Sequence, residues 1–385
     1  MNCHLFFIIA LLLAVGCTPS SNTEDTTTSL DLSSDSSTDN MQPTLSIQTQ
    51  SYGTINDTTV QQYILKNAND MEVRIIEYGG IITHLFVPDR DGQVKDIVLG
   101  FDELSRYQET HPYFGALIGR YGNRIANSQF ELDGETYKLT ANETPHHLHG
   151  GVEGFDKRVW KGEAIEEEER VGVKLQLTSP DGDQGYPGNL AVTVIYSLNN
   201  DNELRIKYKA TTDQATPVNL TNHSYFNLNG AGNKGVENHD LMIAAQQVTS
   251  VNGKLIPTGD LMAVENTPFD FQSAKPIGQE IAVKHPQMNP KVGYDHNFVF
   301  TAHSGTLKKQ ATVVEPKSGR SMEVWTTEPG VQLYVPNYKE QFIIDGKAKK
   351  KYEGRAAFCL ETQHFPNSPN EASFPSTILE PNETY

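Results

Sequence analysis

The chain reads as an all-β protein, built as a large sandwich of antiparallel sheets. Three observations predict this. Runs of alternating apolar and polar residues are short. Turn chemistry separates them about every 8 to 15 residues. No long stretch carries 3.6-residue periodicity with capping residues at its ends.

Taken in order, Val73-Arg74-Ile75-Ile76 runs into Gly79-Gly80, and Ile81 to Val87 ends at Pro88-Asp89-Arg90-Asp91-Gly92. Phe130 to Tyr137 holds Asp133-Gly134, a tight hairpin signal. Val171 to Leu177 alternates and then meets Ser179-Pro180-Asp181-Gly182. Leu190 to Leu198 and Leu204 to Ala210 are two more alternating runs, joined by Asn199-Asn200-Asp201-Asn202. The acidic run Glu166 to Glu169 reads as an exposed hairpin tip. No composition shift divides residues 47–385, which are expected to form one domain.

Residues 1–17 read as a targeting segment. Leu5 to Val15 is an apolar run of eleven residues, too short to span a bilayer as a permanent helix. It leads into Gly16-Cys17, which resembles a bacterial lipoprotein signal with Cys17 as the acylated residue. Simple secretion with an incidental cysteine is the other reading. Residues 18–46 are rich in Ser, Thr, Asp and Asn, too polar to offset their ordering entropy, and read as a disordered tether. Thr18, where aspartate would suggest inner-membrane retention, points toward the outer membrane. An exported protein facing the periplasm or cell exterior is expected, touching the membrane only through lipid on Cys17. Cys359 is then the one cysteine of the mature domain, which excludes an intrachain disulfide there.

Charge excludes one class of partner. Against 31 Lys and Arg stand 48 Asp and Glu, a net charge of −17. A nucleic-acid binder needs a basic face, and the three lysines Lys349 to Lys351 read as a solvated turn.

Five segments could carry chemistry. Thr221 to Gly230 reads Thr-Asn-His-Ser-Tyr-Phe-Asn-Leu-Asn-Gly. Strand alternation would put His223, Tyr225 and Asn227 on one face, a costly core but a good wall for a polyhydroxylated ligand. In Gly119 to Asn127, Arg124 could hold hydroxyls with its planar fork or pair structurally with an acid. In Pro145 to Gly151, His147 and His149 would share a strand face. They invite a metal reading, but no acid or cysteine lies near enough to complete a familiar site, and Gly150-Gly151 suggests close backbone approach. Gly293 to Phe298 sets Asp295, His296 and Asn297 between aromatic residues. In Phe358 to Asn367, Cys359, Glu361 and Gln363 would share a face, making Glu361 either a tuned carboxylate or a solvent-facing one.

Together these segments resemble the aldose 1-epimerases, mutarotases of the galactose mutarotase family. The resemblance covers residues 47–385 and rests on several motifs in the family's order. They are Gly-Arg-Tyr-Gly-Asn-Arg-Ile-Ala from Gly119, His-Leu-His-Gly-Gly from His147 and Asp-Gly-Asp-Gln-Gly-Tyr-Pro-Gly from Asp181. Then come Thr-Asn-His-Ser-Tyr-Phe-Asn-Leu from Thr221, Thr-Pro-Phe-Asp-Phe from Thr267, Gly-Tyr-Asp-His-Asn-Phe from Gly293 and Glu-Thr-Gln-His-Phe-Pro from Glu361.

The resemblance implies a β-supersandwich with a sugar cleft on one sheet and a neutral aldose of the glucose or galactose class as substrate. It implies Glu361 as general base, His223 as general acid and His149 as a second active-site histidine. It implies Asn123, Arg124, Asp295, Gln332 and Tyr334 as sugar ligands. Val335-Pro336 departs from the family's small residues there. The chain stops at Tyr385 where relatives continue into one more strand, which reads either as a short natural terminus or as a truncated sequence, and either would leave a sheet edge open. No metal or other cofactor is expected, and a monomer is the expected state. Mutarotation removes the anomeric proton while delivering one to the ring oxygen, and an imidazolium beside a carboxylate is expected to keep both groups charged. Two rivals remain on the residues alone. A glycoside hydrolase would pair Glu361 with Asp295 and leave His223 unexplained. A non-catalytic sugar-binding lipoprotein would not need both His223 and Glu361.

Overall fold

A computed structural model describes residues 45–233, 235–288, 293–301, 304–337 and 343–385. The expected signal segment, Cys17 and nearly all of the tether lie outside the described residues. The first strand begins at Ser46, one residue before the expected domain start.

The regular structure of the described chain is nearly all antiparallel strand, and its one α-helix, Leu104–Gln108, has five residues. A five-stranded meander comes first, from Ser46–Ile55 to Val94–Asp96. A second meander holds Lys161–Glu166, Val171–Ser179, Leu190–Leu198 and Leu204–Thr212. The alternation read from the sequence is the burial observed. Leu190, Val192, Val194, Tyr196 and Leu198 are buried, while the residues between them are more exposed. These side chains share one apolar core with Leu65, Val73 and Ile75 of the first meander. Asp133 and Gly134 both have positive φ (52° and 82°), which is what a two-residue hairpin turn demands. Glu167 N–H closes the acidic hairpin onto Arg170 O, and Glu166 to Glu169 are exposed. The outer edge of Leu204–Thr212 is not bare at Ala210, which exchanges both backbone hydrogen bonds with Tyr385 (3.0 and 3.2 Å).

Two further sheets follow. One orders Lys275–Pro276, Asp240–Ile243, Lys308–Val314 and Ser321–Thr326. The other orders Pro257–Ala263, Ala245–Val251, Asp295–Phe300, Gly330–Tyr334 and Cys359–Gln363. Its last three strands are buried on both faces. Phe298, Val331, Leu333 and Leu360 enter the apolar core, so the alternate residues of each strand point to the opposite side. On that side lie Asp295, Asn297, Gln332, Glu361 and Gln363, which a soluble sheet would ordinarily turn to water.

Two expected strands are cut short, the first by a local side-chain turn and the second by a contact to a distant residue. Only Thr221–Asn222 is a strand, because Asn222 Oδ1 accepts from Ser224 N–H (3.1 Å) and Ser224 Oγ (2.6 Å). That side-chain turn competes with the ladder. Asn227 therefore does not join His223 and Tyr225 on a strand face; its Nδ2 braces Ala356 O at 2.9 Å. Likewise His147–Leu148 ends before His149, whose φ is 51°.

Burial of histidine sets a pH dependence. Loss of water pushes His84 down to about 2, His223 to about 3, and His111, His147, His239 and His296 to about 4. The unfolded chain takes up those protons near pH 6.5, so this stability is present above pH 6.5 and lost as pH falls toward 4. Burial also raises Asp156 to about 7 and lifts Asp295 and Glu361, which works the opposite way over part of that range. His146 and His149 are also held down, so eight histidines stand against these three carboxyls. The thermal midpoint followed by circular dichroism should fall by roughly 5 °C or more between pH 7 and pH 4.5. A midpoint that holds or rises would contradict this ledger.

Candidate active site

Strand register builds the floor of the site. Asp295 pairs with Tyr334 and Tyr334 with Cys359, which makes one cross-strand row. Asn297, Gln332 and Glu361 make the next. Directly opposed residues on one face are near neighbours, so the second row sets two amides beside a carboxyl. Gln332 Nε2 donates to Asp295 Oδ1 at 2.6 Å. Arg124 reaches over from Arg124–Ile125, a two-residue strand paired with His147–Leu148. Its Nε and Nη2 donate to Glu143 at 2.7 and 2.9 Å, and its Nη1 lies 3.7 Å from Asp295 Oδ2. Both sequence readings of Arg124 hold at once: it is anchored by one acid and presented to another. Burial raises the Asp295 carboxyl, and Arg124 opposes that rise.

Asn123 and His149 flank this short strand pair, both in the left-handed region, at φ 63° and 51°. Each costs backbone strain. The strain is held by a reciprocal contact. His149 N–H donates to Asn123 O, and Asn123 N–H donates to His149 Nδ1, both at 3.1 Å. The second bond fixes a tautomer. A ring nitrogen that accepts carries no proton, so in neutral His149 the proton is on Nε2. Burial, with His223 and Arg124 nearby, holds His149 far below the usual imidazole range and so keeps it neutral.

His223 is placed by backbone bonds on either side: its N–H donates to Ala116 O, and its carbonyl accepts from Gly115 N–H. The ring stacks on Tyr225 (5.0 Å between centroids, 17°) and on Tyr113 (5.8 Å, 22°), and meets His149 edge-on at 5.1 Å. His223 Nε2 is 3.5 Å from Glu361 Oε1, and Nδ1 is 3.7 Å from Cys359 Sγ. Glu361 is 2% exposed. Burial pushes its carboxyl well up, with Asp295 adding to the rise and Arg124 opposing it. Burial likewise holds His223 down.

This corrects the expectation that the pair simply stays charged. Burial favours the neutral imidazole beside the protonated carboxyl. That state holds the same single proton as imidazolium beside carboxylate, so one transfer across 3.5 Å interconverts them.

Ligand atoms of His149, His223 and Glu361 lie within 4.8 Å of one another, a spacing that invites a metal ion. The hydrogen bonding argues otherwise. Metal-binding histidines donate their outer N–H to a second partner and offer the inner lone pair. His149 does the reverse and points an N–H inward, which suits an oxygen acceptor. His147, the other half of the sequence-level metal reading, is a satisfied core histidine, with Nδ1 2.7 Å from Thr140 O and Nε2 2.7 Å from the Tyr186 hydroxyl.

The structure thus gathers Asn123, Arg124, His149, His223, Asp295, Gln332, Tyr334 and Glu361 in one place. Val335 lies behind the wall, buried, with its N–H on Tyr294 O, so the unusual residue there does not face the site. Two residues escaped the sequence reading. Tyr113 stacks on His223 from a left-handed backbone at φ 59°, and Glu143 clamps Arg124 from a loop; neither lies in a periodic run that could have signalled it. Two motifs are scaffold. Arg120 donates to the carbonyls of Ser179, Pro180, Pro187 and Gly188, tying down the Asp181 to Gly188 segment, and Tyr294 OH donates to Pro268 O. A surface hollow of about 920 Å³, lined by residues including Gln246, Glu265, Asp270 and Lys275, shares no residue with the site.

A sequence model of the aldose 1-epimerase family matches residues 61–385. The galactose mutarotase of Bos taurus is 43% identical over 329 residues, which is 85% of this chain and 92% of that one. The aldose 1-epimerase of Escherichia coli K12 is 39% identical, over 83% of this chain and 91% of its own length. The crystal structure of a galactose 1-epimerase from Lactobacillus acidophilus aligns with a TM-score of 0.78 at 25% identity, covering 89% of this chain and 96% of that one. The all-β sandwich expected from the sequence is therefore the fold of these relatives, and the chain belongs to the aldose 1-epimerase family.

Proposed function

We propose that this aldose 1-epimerase interconverts the α and β anomers of a neutral hexose, with Glu361 as base and His223 as acid. The observation that carries the assignment is the 3.5 Å approach of His223 Nε2 to Glu361 Oε1, inside a wall of sugar-matching donors and acceptors. In the reacting state the Glu361 carboxylate takes the anomeric O–H proton. The freed electron pair forms the C1 carbonyl, the C1–ring oxygen bond breaks, and the ring oxygen takes a proton from His223 Nε2. The aldehyde turns about C1–C2 and closes on its other face by the reverse transfers. Ring opening leaves the imidazole neutral and the carboxyl protonated, the pair of forms that burial favours. The dry pocket therefore assists the opening step.

Binding falls to the remaining groups. His149 Nε2–H and Arg124 offer protons, and Asp295 accepts them. Among the described residues Gln332 Oε1 is buried without a hydrogen-bond partner, which suits it to a sugar hydroxyl. Asp295 is already engaged by Gln332 and faces Arg124, so it serves poorly as the second acid of a hydrolase. Galactose is a fitting substrate because relatives 43% identical carry the name galactose mutarotase.

We further infer, from residues 5–18 alone, that Cys17 is lipidated and that the domain is held on the outer face of a bacterial membrane. Cys17→Ala should leave the precursor uncleaved and the protein out of the detergent phase on partition. Normal processing with unchanged partition would leave simple secretion as the better reading.

For the chemistry, Glu361→Gln and His223→Ala should each slow mutarotation of α-D-galactose and α-D-glucose by ~10²-fold or more, from the usual worth of a positioned acid or base. The double variant should lose less than the product of the two, because one relay is broken once. Polarimetry on variants shown to be folded checks both points. Folded Glu361→Gln at near the parent rate would remove Glu361 from the mechanism.

A further inference from the structure

Beside Glu361 the sheet holds a second group of polar atoms that the epimerase chemistry leaves unused. Asn297 and Gln363 are 1% and 0% exposed, and among the described residues no partner meets any of their four side-chain amide atoms. Both lie on the Glu361 side of the sheet. Asn297 is in the same cross-strand row as Gln332 and Glu361, and Gln363 follows Glu361 by two residues on the same strand. Gly330, the strand partner of Gln363, separates them. A Cβ built on Gly330 would lie 2.6 Å from Asn297 Oδ1 and 3.1 Å from its Nδ2, so the Asn297 amide fills the space over the glycine and leans toward Gln363, the glycine's strand partner.

Two whole amides in a dry interior, each offering donors and an acceptor, do not suit an ion of either sign. They suit a small ligand that both donates and accepts. Glu361 Oε2 adds an acceptor from the adjoining row. Each such group left bare would cost roughly 1–3 kcal/mol, whereas buried water makes about three hydrogen bonds with groups of this kind.

We propose that Asn297 and Gln363 hold an ordered water that hydrogen-bonds Glu361 Oε2. The bound water donates to the carboxylate from the side away from His223. It stabilises the ionised base where burial otherwise disfavours it. Asn297 and Gln363 are then positioning residues, acting on the reaction through Glu361. The assignment rests on Glu361 as the base, but the presence of the water does not.

The charged and titratable groups that face Glu361 are His223, His149, Arg124, Asp295, Tyr334 and Cys359, and none is altered by the variants below. A high-resolution crystal structure of the unaltered protein should show water within hydrogen-bond distance of both amides and of Glu361 Oε2. Gln363→Met and Asn297→Leu keep side-chain size while removing the amide. Each should lower the plateau of kcat/KM for α-D-galactose by roughly 10-fold, the worth of one hydrogen bond to a charged group. Loss of that bond favours the protonated carboxyl, so the alkaline limb of the pH profile should move to higher pH, with KM nearly unchanged. A merely structural role would not move that limb. Amides bonded directly to each other, with no water between, would overturn the proposal, as would variants with the parent plateau and limb. Water in place in a protein inactive on aldoses would uphold the site and overturn its role, and would count against the epimerase assignment instead.

Discussion

The approach of an imidazole and a carboxyl in a place without bulk water is the interaction on which the rest of the site depends. His223 Nε2 and Glu361 Oε1 stand 3.5 Å apart, with both side chains about 95% buried or more. Neither group could be held so by a sheet with one wet face. The strands Asp295–Phe300, Gly330–Tyr334 and Cys359–Gln363 are covered on both sides. The two-residue period then divides each strand into an apolar half that packs and a polar half that must be paired or must bind something. The pairing that exists, Gln332 to Asp295 and Asp295 facing Arg124, fixes the orientation of the wall.

Desolvation gives this pair its working range. It lowers His223 and raises Glu361, so the pair keeps a single proton over a wide span of pH. A shared proton is what reversible ring opening requires, since the acid and the base are regenerated together. His149 contributes differently. With its Nδ1 committed to the Asn123 N–H, it stays a neutral donor and does not compete for that proton. The strained backbone at Asn123 and His149 is thereby tied to function, because the same reciprocal contact sets the tautomer.

Much of this was legible in the sequence. The alternation of Leu190 to Leu198 and the Asp133-Gly134 turn gave strands and hairpin directly, since both depend on neighbours along the chain. Glu361 and Asp295 stood out as acids on apolar strands, and His223 as an imidazole in a run too polar for an ordinary core. The long strand read from Thr221 to Gly230 did not form, because the Asn222 side chain captures the Ser224 N–H and ends the ladder. The His147 and His149 pairing on one face failed for a similar reason, a backbone contact to Asn123, 26 residues earlier. Glu143 and Tyr113 could not be read at all. Their roles come from loops folded over the sheet, and no local pattern records that meeting.

Direct titration of Glu361 and His223 tests the account at its centre. Carbon-13 NMR of glutamate carboxyls and nitrogen-15 NMR of histidine rings can follow Glu361 and His223, assigned by difference against Glu361→Gln and His223→Ala. The account predicts that the Glu361 carboxyl titrates well above the usual carboxylate range, and that His223 takes up no proton of its own until pH approaches about 3. Ordinary titration of both, Glu361 near the common glutamate value and His223 near that of a free imidazole, would contradict the claim that a dry pocket makes the pair share one proton.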